Sequence, residues 1–216
     1  MKAVLFDLDG TLVDSSEGIT KSVRYALEHF GIEETDEAKL YSFIGPPLSF
    51  SFQKYYHFSE EQTKEAVAKY RERYNETGIF ECSLYPGAEH SIRSLKEKGY
   101  LIALASSKPE AFCKRILEHF GILDLFDEVV GDTFDGKRCS KTLVLKELFS
   151  RWKRVAKESM CLVGDTVFDV NGAKEVGILC VAVTFGFGNL EEMKAAGADA
   201  VCRGMDELPE VLEKLL

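Results

Sequence analysis

The sequence predicts an α/β fold: a mostly parallel β-sheet core with an all-helical domain inserted near its amino terminus. Three observations predict it. The apolar run Ala3-Val4-Leu5-Phe6 ends in an acidic turn, as a buried strand of a parallel sheet does. Beyond residue 84, short apolar runs alternate with amphipathic stretches, the pattern of βαβ units. Residues 16–83 instead carry helical periodicity and helix-start signals, with no convincing strand.

The elements follow in order. After the first strand, Ile19, Val23, Leu27 and Phe30 recur at helical spacing. Thr35-Asp36 reads as a helix start, and Ser59-Glu60-Glu61-Gln62 as another with a capping box. In the second half, strands are expected at 101–105, 128–131, 160–163, 179–183 and 199–201. Helices are expected near 88–98, 110–120, 141–151, 168–176, 190–196 and 206–215. Residues 1–15 and 84–216 therefore form one discontinuous core domain, and 16–83 a helical insert. The insert leaves the chain beside the acidic turn, a natural place for a lid. Asp14-Ser15-Ser16 lies at this junction and reads either as a hinge or as a helix N-cap. The hexapeptide Leu-Glu-His-Phe-Gly-Ile occurs at 27–32 and again at 117–122. Both copies read as helix C-termini, with Gly31 and Gly121 at C′ and the isoleucine packing back on the last turn.

Composition narrows the function. The chain has 216 residues and a net charge of -9 without a basic stripe, which argues against a nucleic-acid partner. Nothing approaches a membrane span, and the early apolar run is too short for a signal peptide. The six cysteines, at 82, 113, 139, 161, 180 and 202, show no C-x-x-C and no regular spacing. Free thiols in a reducing cytoplasm are expected.

Four polar stations punctuate the strand ends, where open α/β sheets gather their chemistry. The first is Asp7-Leu8-Asp9-Gly10-Thr11. Carboxylates two residues apart at a strand end can face one site, which suits a nucleophile beside an acid/base with a divalent cation between them. Gly10 lets the chain turn sharply. The second, Ser106-Ser107-Lys108, precedes a helix and reads either as a phosphate cradle or as ordinary N-capping. In the third, Ser140-Lys141 opens a helix, where a lysine opposes the dipole and so serves either an anion or solvent. The fourth is Gly164-Asp165-Thr166-Val167-Phe168-Asp169. Its Asp165 and Asp169 face one way if a helical turn starts here, offering the oxygens that Mg²⁺ favours; Asp165 as a plain helix cap is the competing use.

Taken together, the four stations resemble the haloacid dehalogenase superfamily of aspartate-nucleophile phosphohydrolases, over nearly the whole chain. Asp7-Leu8-Asp9-Gly10-Thr11 matches its D-x-D-G-T, Ser106 its second-motif Ser/Thr, Lys141 its third-motif lysine, and 164–169 its G-D-x-x-x-D. The helical insert and its Phe43-Ile44-Gly45-Pro46-Pro47-Leu48 loop resemble the cap of the phosphoglycolate phosphatase-like branch, some of whose members are 5′-nucleotidases. The resemblance implies a Rossmann-like core. It implies a Mg²⁺-dependent phosphomonoesterase acting on a small phosphorylated metabolite, phosphoglycolate-like or a nucleoside 5′-monophosphate. Asp7 is the implied nucleophile and Asp9 the acid/base. The metal would be held by the Asp7 carboxylate, the Asp9 carbonyl and Asp165, with Asp169 near. Gly10, Thr11, Ser106, Ser107 and Lys141 would bind the phosphoryl group. One departure is Cys139-Ser140-Lys141-Thr142 where many phosphoglycolate phosphatases have Lys-Pro. Lys108-Pro109 offers a rival lysine; its place at a helix entry, with proline at N1, directs it toward solvent or the cap. Thr11 separates the chain from sugar phosphomutases, which tend to carry Val there. The presence of Asp7, Asp9, Lys141 and Asp165 together argues against a non-catalytic binding module. The aromatics Phe43, Phe50, Phe52, Tyr55, Tyr56 and Phe58 serve either as the insert's own core or as a nucleobase platform.

Overall fold

The computed structural model describes residues 1–153 and 155–216. The chain divides into two compact units, Met1–Val13 with Leu84–Leu216, and Asp14–Ser83. The first unit opens with β1 (Ala3–Phe6). The chain leaves it through β2 (Val13–Asp14), runs through α1 (Ser16–His29), α2 (Glu37–Tyr41), α3 (Leu48–Tyr56) and α4 (Glu60–Glu76), and returns through β3 (Ser83–Leu84). It continues as α5 (Ala88–Glu97), β4 (Leu101–Pro109), α6 (Glu110–His119), β5 (Glu128–Asp132) and α7 (Lys141–Arg151). The last part is β6 (Met160–Gly164), α8 (Val167–Val176), β7 (Leu179–Val183), α9 (Leu190–Ala196), β8 (Ala200–Cys202) and α10 (Leu208–Leu215).

Six strands form one parallel sheet in the order β5-β4-β1-β6-β7-β8. The chain starts in the middle, builds outward to β5, then crosses back to β6 on the other side of β1. That reversal opens a crevice at the carboxyl ends of β1, β4 and β6. Ala3, Leu5, Ala103, Ala105 and Leu162 pack with Val144, Leu145 and Leu148 of α7 and Val170 and Ala173 of α8. Their alternating neighbours Val4, Phe6, Ile102, Leu104 and Val163 are equally buried. Burial on both faces is why these strands read as unbroken apolar runs.

Two features depart from the expected elements. A short ribbon, β2 with β3, stands where no strand was expected. β4 also runs to Pro109, past the expected 101–105. Its pairing with β5 jumps from Ala105↔Val130 to Pro109↔Asp132, so four steps on one strand oppose two on the other, a bulge that re-aims the side chains within it. Gly131 accommodates this bulge: a Cβ there would lie 2.5 Å from the Lys108 carbonyl oxygen.

In the helical unit the Ser59 and Gln62 side chains each bond the other's backbone N–H, closing the capping box of α4. Asp36 caps α2. The N–H of Gly31 bonds Glu28 and that of Ile32 bonds Leu27, with the same pattern at Gly121 and Ile122. Both hexapeptides are therefore Schellman-type helix ends, and both glycines have positive φ. At the junction, Asp14 Oδ1 accepts the Ser16 N–H at 3.0 Å, while Ser15, the N-cap of α1, makes no side-chain capping bond. Phe43, Phe52 and Phe58 are buried against one another and against Tyr56. They are the unit's core, and Phe50 is exposed.

Candidate active site

The first station is a closed turn. The Asp7 N–H still pairs with the Val163 carbonyl at 2.9 Å, and the N–H groups of Leu12 and Val13 fold back onto Leu8. Gly10 makes the turn at φ 82° and lies so close to Asp165 that a Cβ would fall 2.1 Å from its Oδ2. Asp7 points into the crevice, with its Oδ1 accepting the Leu8 N–H at 2.8 Å.

Lys141 reaches the same point from the first turn of α7, whose N-cap is Ser140. Its Nζ lies 2.9 Å from Asp7 Oδ1, 2.8 Å from Asp169 Oδ1 and 2.8 Å from the Ala105 carbonyl oxygen. The stem passes over Gly172 of α8, where a Cβ would sit 2.8 Å from the Lys141 Cβ. The lysine is buried and anion-facing, so the solvent alternative is excluded.

The fourth station is built by β6 and α8. Thr166, not Asp165, is the N-cap of α8. The N–H and hydroxyl of Thr166 donate to Asp169 Oδ2 at 3.0 and 2.7 Å. Asp165 is free of capping and turned inward, accepting the Thr11 hydroxyl at 3.2 Å and the Phe187 N–H at 2.8 Å. Gly186 and Gly188 crowd it from the loop after β7; a Cβ at Gly186 would fall 2.3 Å from Asp165 Cβ. Thr11 is fully buried and its hydroxyl is committed to Asp165. The Thr11 side chain is therefore engaged with the Asp165 carboxylate.

Asp7, Asp165 and Asp169 each present an oxygen, all within 4.8 Å of one another and all buried. Burial pushes the Asp7 carboxyl up to about 6, helped by Asp169 and Asp9 and opposed by Lys141. Burial, then the charges of Asp169 and Asp7, push Asp165 up to about 8. Burial pulls the Lys141 ammonium down, but Asp169 and Asp7 outweigh it and hold it above the ordinary lysine range. Lys141 thus pairs with two of the three clustered carboxylates and, among the described residues, leaves Asp165 without a cation. The donor set is all oxygen and short of positive charge, which fits a hard divalent cation such as Mg²⁺. The Asp9 carboxylate stands outside this cluster. The Lys108 Nζ grips it at 2.8 and 2.7 Å, through both oxygens.

Ser106 is buried beside them, its Oγ accepting the Lys108 N–H at 3.3 Å, and Ser107 follows on the bulge. Two expectations about Lys108-Pro109 need correction. Pro109 is the N-cap of α6 rather than N1, and the Lys108 side chain is buried in the crevice with Asp9 rather than directed to solvent. Sequence reasoning missed Lys108 as a partner of Asp9 and missed the Gly186–Gly188 loop. The alternating Phe185-Gly186-Phe187-Gly188 after a strand was the available signal for that loop.

A parallel sheet with paired aspartates after its central strand, a buried lysine and an acidic pair after the neighbouring strand defines a class of phosphoryl-group hydrolases. Residues 4–183 match the family described as haloacid dehalogenase-like hydrolase. The chain is 39% identical to a 5′-nucleotidase of Pseudomonas aeruginosa, covering 97% of this chain and 95% of that one. It is 36% identical to the tyrosine-protein kinase PtkA of Mycobacterium tuberculosis, covering 97% and 72%. It is 32% identical to a phosphoglycolate phosphatase of Aquifex aeolicus, covering 87% and 86%. A crystal structure from Clostridium acetobutylicum, described as a predicted phosphatase, superposes with a TM-score of 0.95 at 42% identity over 99% of both chains. The chain belongs to the haloacid dehalogenase-like hydrolase family, and it is an enzyme of the phosphatase type. Among the described residues no helix is long and apolar enough to cross a membrane.

Proposed function

We propose that the protein is a Mg²⁺-dependent phosphomonoesterase that works through an aspartyl-phosphate on Asp7. The observation that carries this reading is the division of labour between the two aspartates of the first station. Asp7 faces Lys141 and the carboxylate cluster, while Asp9 is held apart by Lys108. A nucleophile needs its negative charge balanced near the phosphorus; a proton carrier needs to stand clear of that balance.

An Asp7 oxygen attacks phosphorus as the bond to the ester oxygen breaks, and a proton from Asp9 goes to the leaving oxygen. Asp9 then takes a proton from the water that attacks the acyl phosphate, freeing inorganic phosphate and regenerating Asp7. Lys141 offsets negative charge on Asp7 and on the phosphoryl oxygens, and Ser106 with the backbone amides near Gly10 and Ser107 receives those oxygens. Asp7, Asp165 and Asp169, with the Asp9 carbonyl, would hold Mg²⁺, which when bound supplies charge neutralisation between anionic nucleophile and anionic substrate. Such transfers rest on positioning and electrostatics more than on covalent novelty.

The substrate class is a small phosphorylated metabolite, phosphoglycolate-like or a nucleoside 5′-monophosphate, the compounds for which the relatives are named. Six free cysteines support a reducing cytoplasm as its place of work. The test is release of inorganic phosphate from a panel of phosphoglycolate, nucleoside monophosphates and sugar phosphates, ranked by kcat/KM. Asp7→Asn and exhaustive chelation are each expected to stop release. Isomerised sugar phosphate without free phosphate would instead indicate a mutase, and full turnover by Asp7→Asn would remove the covalent mechanism.

A further inference from the structure

Lys108 is a second buried lysine in the crevice, and the local structure is arranged around it. Its side chain is 7% exposed. Burying an ammonium is costly unless it is paired, and here both Asp9 oxygens receive it. The backbone beneath is fixed from both sides. The Lys108 N–H bonds Ser106 Oγ at 3.3 Å, and the buried Cys113 thiol donates to the Lys108 carbonyl at 3.6 Å. The bulge in β4 aims the side chain, and Gly131 is the residue that leaves room for the bulge.

We propose that Lys108 is the positioning residue for Asp9, holding its carboxyl group where it can protonate the leaving oxygen of the substrate. The inference rests on the reading of Asp9 as proton carrier. Each Asp9 oxygen that accepts from Lys108 keeps a further lone pair. With Asp9 protonated, one oxygen stays with the ammonium and the other carries its proton to the ester oxygen as the P–O bond breaks. Lys141 is committed to Asp7 and Asp169, so the two lysines serve different aspartates, one balancing phosphoryl charge and the other placing the proton carrier.

The consequence is a dependence on the leaving group. A p-nitrophenolate departs without a proton, whereas an alkoxide does not. Measured as kcat/KM, which excludes the later water step, Lys108→Met should lose about 10²-fold on an alkyl phosphate and less than about tenfold on p-nitrophenyl phosphate. Phenyl phosphate should fall between them. Lys108→Gln provides a second variant should the methionine protein fail to fold, with thermal melts checking both. Asp9→Asn is run through the same series, and adding Lys108→Met to it should cause little further loss on the alkyl ester, because the pair acts as a unit. An equal loss on all esters with a raised KM would make Lys108 a phosphoryl-binding residue and overturn the inference, as would an unchanged profile. If Asp9→Asn itself retains the alkyl ester rate, the reading of Asp9 fails. If Asp9→Asn is selective for the alkyl ester and both Lys108 variants are not, only the inference about Lys108 fails.

Discussion

Removing divalent cations should make this protein lose stability as the pH rises from 6 to 8, against the usual trend of acid-sensitive proteins. Burial and mutual repulsion push Asp165 up to about 8 and Asp7 up to about 6. In the unfolded chain both return to the ordinary aspartate value of 3.8. The folded state therefore binds more protons than the unfolded state, so stability is highest below the unfolded value and is lost as pH rises through the folded values. Lys141 is raised and stays charged throughout, so it adds no slope here. A carboxyl protonated in the fold and ionised in the unfolded chain costs about 1.4 kcal/mol per pH unit, or about 3 kcal/mol across the window. At roughly 2–4 °C per kcal/mol for a chain of this size, Tm should fall by about 6–12 °C. Mg²⁺ at about 100 times its Kd should return about 2.7 kcal/mol at the high-pH end and flatten the curve. The assay is thermal unfolding followed by circular dichroism, with chelator and with Mg²⁺, for the wild type and Asp165→Asn. A chelated wild-type Tm that is flat or rising, on the same curve as Asp165→Asn, would refute the reasoning.

Lys141→Met should lower kcat/KM by about 10²–10³-fold on every ester irrespective of leaving group, since it acts on the phosphoryl charge rather than on proton delivery; steady-state kinetics across the aryl and alkyl series checks this. Gly186→Ala should raise the Mg²⁺ concentration needed for half-maximal rate, because its Cβ would meet Asp165 Cβ and the Gly10 carbonyl oxygen, each at 2.3 Å; a metal titration of activity reads it. Ser59→Ala should destabilise the helical unit by about 1 kcal/mol through loss of the α4 cap, measured by urea unfolding.

Sequence legibility followed the physics of each element. β1, β6 and β7 were readable because strands covered on both faces must be apolar throughout. The ends of α1 and α6 and the start of α4 were readable because capping is local chemistry: a glycine at C′, or a serine three residues before a glutamine. The Asp7-Leu8-Asp9 pair was readable because strand ends collect function. The β2–β3 ribbon was not, since strands of two residues carry no periodicity. Nor could spacing decide between Asp165 and Thr166 as the cap of α8. Both are good N-cap residues, and the choice falls to the loop after β7, whose Phe187 N–H claims Asp165, about 20 residues further along.

The two lysines show most clearly where one-dimensional reading stops. For Lys141 the sequence offered two signals: a cation in the first turn of a helix opposes the dipole, which left anion and solvent both open, and its place matches the third-motif lysine of the resemblance. Lys108 carried no such signal. Its direction is set by the bulge between Ala105 and Pro109, a property of how two strands fall out of step, and by Gly131 on the facing strand. A regular strand alternates its side chains between the two faces of the sheet. A bulge breaks that alternation, so the face that Lys108 takes cannot be counted from Leu101. One short segment, Ser106-Ser107-Lys108, carries a hydroxyl and an ammonium at the carboxyl end of the sheet. The irregularity lies in how β4 and β5 fall out of step, a relation between two strands that no count along one of them contains.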